Sequence, residues 1–453
     1  MIISERRDIM HKFQSISEKK LKELNKEYLL DDSSRIIRNA LCENSISAIS
    51  KRLEGKSENP NLFSIDLKTM PVNDQMSSGR CWIFSSMTLL REMIAKKYDI
   101  TDQFEFSQNY VAFYDKLEKI NYFLESMIAE KDQPLDSEIS RYLLHTAIGD
   151  GGQWDMMVSL VKKYGLCPKT AMPETYQSSH TRAMNGIINR RLRRFVADMK
   201  KAKDEEEIAT LKDECLKQCY ALLCDCFGVP PVSFTFEYVD SKNEYHAFYD
   251  VTPKQMYEEY LGVDLDEYIG IINGPTADKP FYQTYTVKYL GNVAETKNEV
   301  FFLNLPIEDF KKLILKQLKD GELVWFGCDC GKDGDRNSGL WNDQSFDYEN
   351  TFKMDLEMSK AEMLDTGESA MNHAMVFTGV NLVKNRPNRW KIENSWGDKI
   401  ANKGYFIASD TWFDRYVFEA VVHRKYLNKK QQAAAKKKPI VLEPWDPFGS
   451  LAD

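Results

Sequence analysis

A Ser- and Gly-rich turn that stops at a cysteine, with an apolar helical pattern directly behind it, narrows the possible folds of this chain more than any other feature. The segment runs Asn73-Asp-Gln75-Met-Ser-Ser-Gly79-Arg-Cys81-Trp-Ile-Phe-Ser85. From Cys81 to Asp99 the spacing predicts a helix, with Ile83, Met87, Leu90 and Ile94 on one face. Cys81 therefore falls at a helix N-terminus. Unpaired N–H groups and the positive dipole end at such a site lower a thiol pKa and can hold an oxyanion.

Two distant segments complete a pattern with this one. His373 stands in Met371-Asn-His-Ala-Met375, at the head of a predicted strand His373–Val380. Asn394 stands in Glu393-Asn-Ser-Trp-Gly397, after a predicted strand Arg389–Glu393. Nucleophilic hydrolysis by a thiol needs an imidazole to take and return the proton, and a group that fixes the imidazole. It also needs donors for the tetrahedral oxyanion. Cys81, His373, Asn394 and Gln75 fill these roles in chain order Gln–Cys–His–Asn. Taken singly, Cys81 reads as a buried small hydrophobe and His373 as a core histidine; the shared pattern is what gives them a chemical reading.

These motifs resemble the papain-like cysteine peptidases, and within them the bleomycin hydrolase/aminopeptidase C family. Gln75…Gly79-Arg-Cys81-Trp82-Ile-Phe84-Ser85 matches the nucleophile motif, and Asn372-His373-Ala374-Met375 the histidine motif. Asn394-Ser-Trp396-Gly397 with Gly404-Tyr405-Phe406 matches the asparagine motif. Gly151-Gly152 before Trp154 matches the diglycine turn of the substrate cleft, and Leu442-Glu-Pro-Trp445-Asp-Pro447 the tail. Secreted relatives pair a cysteine three residues before the nucleophile with one two residues before the diglycine. Here Ser78 and Gly149 stand in those places.

The resemblance implies an α+β papain-like core, Cys81 on the helical half and His373 and Asn394 on the strand-rich half. It implies a cysteine aminopeptidase that needs no cofactor or metal. Its partners would be peptides with a free N-terminus, and its assembly a homohexamer with the active sites facing an inner cavity. Gly151, Gly152 and Trp396 would line the substrate cleft. The last residues, including Ala452 and Asp453, would lie along it. An endopeptidase with an open cleft and a non-catalytic scaffold of the same fold are the alternatives.

The expected divisions are an N-terminal helical arm over 1–60 and a helical core half over 61–175, with an insertion at 106–142. A helical insertion over 176–227, a hook-like insertion over 228–295, a strand-rich half over 296–425 and a C-terminal arm over 426–453 follow. Ser15-Ile-Ser-Glu18 is a candidate capping box for the first helix.

Charge bears on partners. Lys and Arg number 61 against 69 Asp and Glu, a net charge of -8, which weighs against nucleic acid. No apolar run reaches the roughly 18–20 residues of a membrane helix, and no signal-peptide core follows the first residues. The nine cysteines then predict free thiols in the cytoplasm. Cys215, Cys219, Cys224 and Cys226 lack the paired spacing of a zinc site and read as apolar positions on a helical hairpin. Cys328 and Cys330 read as structural thiols. Arg190, Arg191, Arg193 and Arg194 read as a solvated helix face or a subunit contact.

Overall fold

The computed structural model describes residues 13–101, 104–296 and 299–451. The chain divides into two compact units. In the smaller, residues 13–53 associate with Phe346–Glu357. Its helices Glu18–Leu29 and Asp32–Leu41 bury none of their own residues. The first helix is capped by Ser17, whose side chain accepts from the Lys20 N–H. The expected box on Ser15 and Glu18 is therefore not the cap: Glu18 is itself the first helical residue. Lys51 bridges to Phe346, and Asp347 N–H donates to the Ser50 carbonyl at 2.7 Å.

The larger unit is built on one long mixed sheet. Its inner strands are, in order across the sheet, Tyr268–Ile272, Val417–His423, Val324–Cys328, His373–Val383, Arg386–Glu393 and Tyr405–Ser409. Neighbours among these six run antiparallel. Val324–Cys328 and residues 373–380 are buried throughout. A strand apolar at every position must be covered on both faces. Alternation then sorts its side chains into two cores. Trp325, Ala374 and Val376 join the helical core, while Val324, Phe326, Met375 and Phe377 join the other, packed with Phe310, Leu313 and Phe413.

Helix Cys81–Tyr98 is the axis of the helical core, and Cys81 through Arg91 are all buried. Gln108–Ala129 and Trp154–Tyr164 pack on it, and Arg182–Met199 and Glu205–Phe227 pack on Gln108–Ala129 and on each other. Cys215 and Cys219 are buried on the last of these helices, as apolar residues would be. Arg191 and Arg194 pair on the surface with Gln218 and Asp198. Tyr268–Ile272, which the sequence placed in the hook-like insertion, is instead an inner strand of the main sheet; its five residues are all buried. A hairpin of Phe234–Val239 and Tyr245–Val251 forms a separate two-stranded sheet.

Candidate active site

Position 81 is fixed by the turn before it. Arg80, only 1% exposed, forks onto Glu174 with N–O distances of 3.1 and 2.8 Å and donates from Nε to Ser78 Oγ at 2.9 Å. No side chain caps the helix start, so its dipole end stays open. Two bonds join the helix to the histidine strand. Ser85 Oγ donates to the Ala374 carbonyl at 2.9 Å, and the Ala374 N–H points at Cys81 Sγ at 3.4 Å. The residue beside the histidine thus touches the thiol.

His373 Nε2 lies 2.8 Å from Asn394 Oδ1. The same oxygen accepts the Ser395 N–H at 2.8 Å, which holds the amide so that it offers oxygen, not nitrogen, to the ring. Nε2–H is then the donor, and Nδ1 is the unprotonated nitrogen of the neutral ring. Trp396 covers the pair, its ring centroid 5.0 Å from the imidazole. Burial pulls the imidazole down to about 4, with the Asn394 bond opposing the shift and the nearby Arg336 charge adding to it. At neutral pH the ring is a neutral base. Glu393, next to Asn394, is anchored by Arg91 of helix Cys81–Tyr98 at 3.2 Å.

Gln75 is held from both ends of its amide. Its Nε2 donates to the Ser78 carbonyl at 2.6 Å and its Oε1 accepts from Ser395 Oγ at 2.5 Å, while its own N–H meets the Ser395 carbonyl at 2.8 Å. One N–H of that amide serves the cysteine turn; the amide carries a second. Gly397 sits at φ 75°, and a Cβ there would come within 2.8 Å of Asp74 Oδ2.

The diglycine turn packs directly on the helix. A Cβ at Gly152 would meet the Trp82 ring at 2.4 Å, so only glycine fits. Trp82 Nε1 donates to the Asp150 carbonyl at 2.7 Å, and Lys119 Nζ to the Gly151 carbonyl at 2.6 Å.

The sequence reading missed Asp150. Its carboxylate accepts the Gly79 N–H at 3.0 Å, Lys116 Nζ at 2.5 Å, Asn185 Nδ2 at 2.8 Å and the Thr181 hydroxyl. Lys116 also donates to the Gly149 carbonyl at 2.6 Å. Burial would raise the carboxyl, but the Lys116 charge and these hydrogen bonds outweigh it and hold Asp150 well below the usual range. A polar link thus joins the cysteine turn to the diglycine turn beside positions 78 and 149. Its one sequence signal was Asp115, Lys116 and Lys119 within an aromatic-rich helix.

The chain's last segment is packed. Phe448, 6% exposed, lies against Gly274 and Phe302, and Gln153 Nε2 donates to the Ser450 carbonyl at 3.0 Å. Gly449, Ser450 and Leu451 share with Gly149, Gly151 and Lys119 the wall of a cavity of about 360 Å³. Ala452 and Asp453 lie outside the described residues. Away from the cleft, Asp240, Glu244 and His246 bring three ligand-type atoms within 4.8 Å at the hairpin turn. There Asp240 already binds His246 at 3.0 Å and accepts two turn N–H groups.

A buried thiol at an open helix end, bonded to the strand that carries an asparagine-held imidazole, is the design of the papain-like cysteine peptidases. The match extends over the chain: the model of the Peptidase C1-like family covers residues 15–449. Aminopeptidase C of Listeria innocua is 44% identical over 433 residues, 95% of this chain and 98% of the relative. Bleomycin hydrolase of Mus musculus is 40% identical over 395 residues, 84% and 86% of the two chains. The crystal structure of pepw from Lactobacillus rhamnosis superposes with a TM-score of 0.94 at 44% identity, covering 97% of this chain and 99% of that one. This chain belongs to the Peptidase C1-like family.

Proposed function

We infer that this protein is a cysteine aminopeptidase in which Cys81 is the nucleophile. The observation that carries the reading is the meeting of Cys81 Sγ with the Ala374 N–H, one residue from a histidine bonded at 2.8 Å to Asn394. Sγ attacks the scissile carbonyl while its proton passes to the neutral His373. The Cys81 N–H and the Gln75 amide stabilise the oxyanion. The tetrahedral adduct collapses, and the imidazolium gives its proton to the leaving amine. Water, deprotonated by His373, then cleaves the thioester. The acid is released and the thiol regains its proton. Asn394 orients the ring throughout. Gly151 and Gly152 line the acyl side.

Cleavage at a free N-terminus follows from the tail. Gly449–Leu451 line the same cavity as the diglycine turn, so the tail narrows the acyl side of the cleft and favours a short acyl part. A charge-assisted bond to the substrate's α-ammonium contributes about 1.5–3 kcal/mol, enough to select a free amine over a capped one. The protein acts on peptides in the cytoplasm, where its nine free thiols stay reduced. It assembles as a homohexamer through surfaces such as the exposed apolar positions Leu21, Leu24, Tyr28, Leu29 and Ile36.

The test is a chain ending at Trp445, assayed on a free-amine aminoacyl substrate and on its N-acetylated twin, with the mass in solution measured alongside. Truncation should slow the first reaction and open the second. Equal rates with the full chain would return the reading to an endopeptidase with an open cleft.

A further inference from the structure

The leaving group takes its proton from His373, so it departs on the imidazole side of the thiol, the side that Trp396 covers. A second residue is stacked there. The Arg336 guanidinium lies over the Trp396 ring, its Cζ 4.4 Å from the centroid. The other charged side chains of that loop are engaged. Lys332 pairs with Glu368 at 2.6 Å, Asp333 accepts the Tyr416 hydroxyl at 2.6 Å, and Asp335 accepts the Ser338 N–H at 3.4 Å. Arg336 is exposed and makes no ion pair with the described residues. A guanidinium held by its face on an indole keeps its edge donors free, in the fork that fits a carboxylate.

Reach decides which carboxylate. Arg336 lies 4.4 Å from the Trp396 ring, and Trp396 lies 5.0 Å from His373. The guanidinium is therefore no further from the imidazole than these two steps laid end to end. An extended leaving group grows by about 3.3–3.6 Å per residue. The C-terminal carboxylate of a leaving group of one or two residues falls within that distance; that of a longer one overshoots.

We propose that Arg336, stacked on Trp396, binds the C-terminal carboxylate of the leaving group and makes di- and tripeptides with a free C-terminus the preferred substrates. The proposal rests on the aminopeptidase reading and deepens it. That reading confines the acyl side to one residue; Arg336 sets the length and charge of the other side.

The experiment uses the full chain and a dipeptide in two forms, free acid and C-terminal amide, with wild type, Arg336→Gln and Arg336→Lys. Wild type should show a KM about tenfold lower for the acid, and the difference should shrink as salt is raised. In Arg336→Gln the acid-to-amide ratio of KM should fall towards one; Arg336→Lys should restore part of it. Equal KM values in wild type, or a ratio preserved in Arg336→Gln, overturns the proposal. A loss on both forms with the ratio intact also overturns it, because Arg336 then acts through Trp396 and not on substrate. Failure of the aminopeptidase reading looks different: wild type would then cleave N-acetylated peptides as fast as free ones.

Discussion

Changing Asp150 to Asn keeps the shape of the side chain and removes its charge. In the native chain this carboxylate takes four donors, among them the ammonium of Lys116, whose side chain is 1% exposed. The amide retains one acceptor oxygen and turns an NH2 group towards donors. Lys116 is left as a buried cation without its countercharge, a loss of about 3–5 kcal/mol. Midsized domains lose about 2–4 °C per kcal/mol, and a chain of this length loses less, so the melting midpoint should fall by about 5 °C. The Gly79 N–H also loses its acceptor, two residues before Cys81. Loosening that turn should lower kcat by about 10–100-fold, with KM little changed. The assays are melting at a fixed scan rate, steady-state kinetics and the rate of Cys81 alkylation, on Asp150→Asn, Lys116→Met and the double variant. The double variant should be less destabilised than its two parents together. An Asp150→Asn protein within about 1 kcal/mol of wild type, with unchanged alkylation, would refute the link between the two turns.

Gln75→Ala should lower kcat by about 10²–10³-fold, the loss of one oxyanion donor, with the melting midpoint as the check on folding. Gly152→Ala puts a methyl 2.4 Å from the buried Trp82 ring, so it should cost about 1–3 kcal/mol in unfolding and raise KM for peptides. With His373 lowered to about 4 and an unfolded value near 6.5, the neutral ring stabilises the fold above pH 6.5, and that stability is lost as pH falls towards 4. Melting of Cys81→Ala against pH should show this slope, and Cys81→Ala/His373→Gln should lack it.

Much of this was legible in the chain because its chemistry lies in short segments. The turn, the cysteine and the helix behind it are contiguous, and structure starts the helix at Cys81 as the pattern does. The histidine and asparagine strands begin and end beside their functional residues, so periodicity found them. What escaped was carried by side chains that meet only in three dimensions. Lys116 and Asp150 are 34 positions apart and belong to one ion pair. Arg336 sits in a loop with no periodic signal, 60 positions before the tryptophan it covers. Tyr268–Ile272 was assigned to an insertion because its partner strand, Val417–His423, is far along the sequence. Long-range pairing leaves no local mark. The cap of the first helix was misplaced by two residues because Ser15 and Ser17 are equally good caps.

The central claim is that Cys81 performs the hydrolysis, and it can be tested directly by alkylation. The full-length protein is treated with substoichiometric iodoacetamide, the label on each of the nine cysteines is quantified by mass spectrometry, and hydrolysis of a free-amine aminoacyl substrate is measured on the same samples. Activity should fall in step with the label on Cys81 and with no other cysteine, and substrate should protect both. Hydrolysis that persists when Cys81 is fully alkylated would contradict the account.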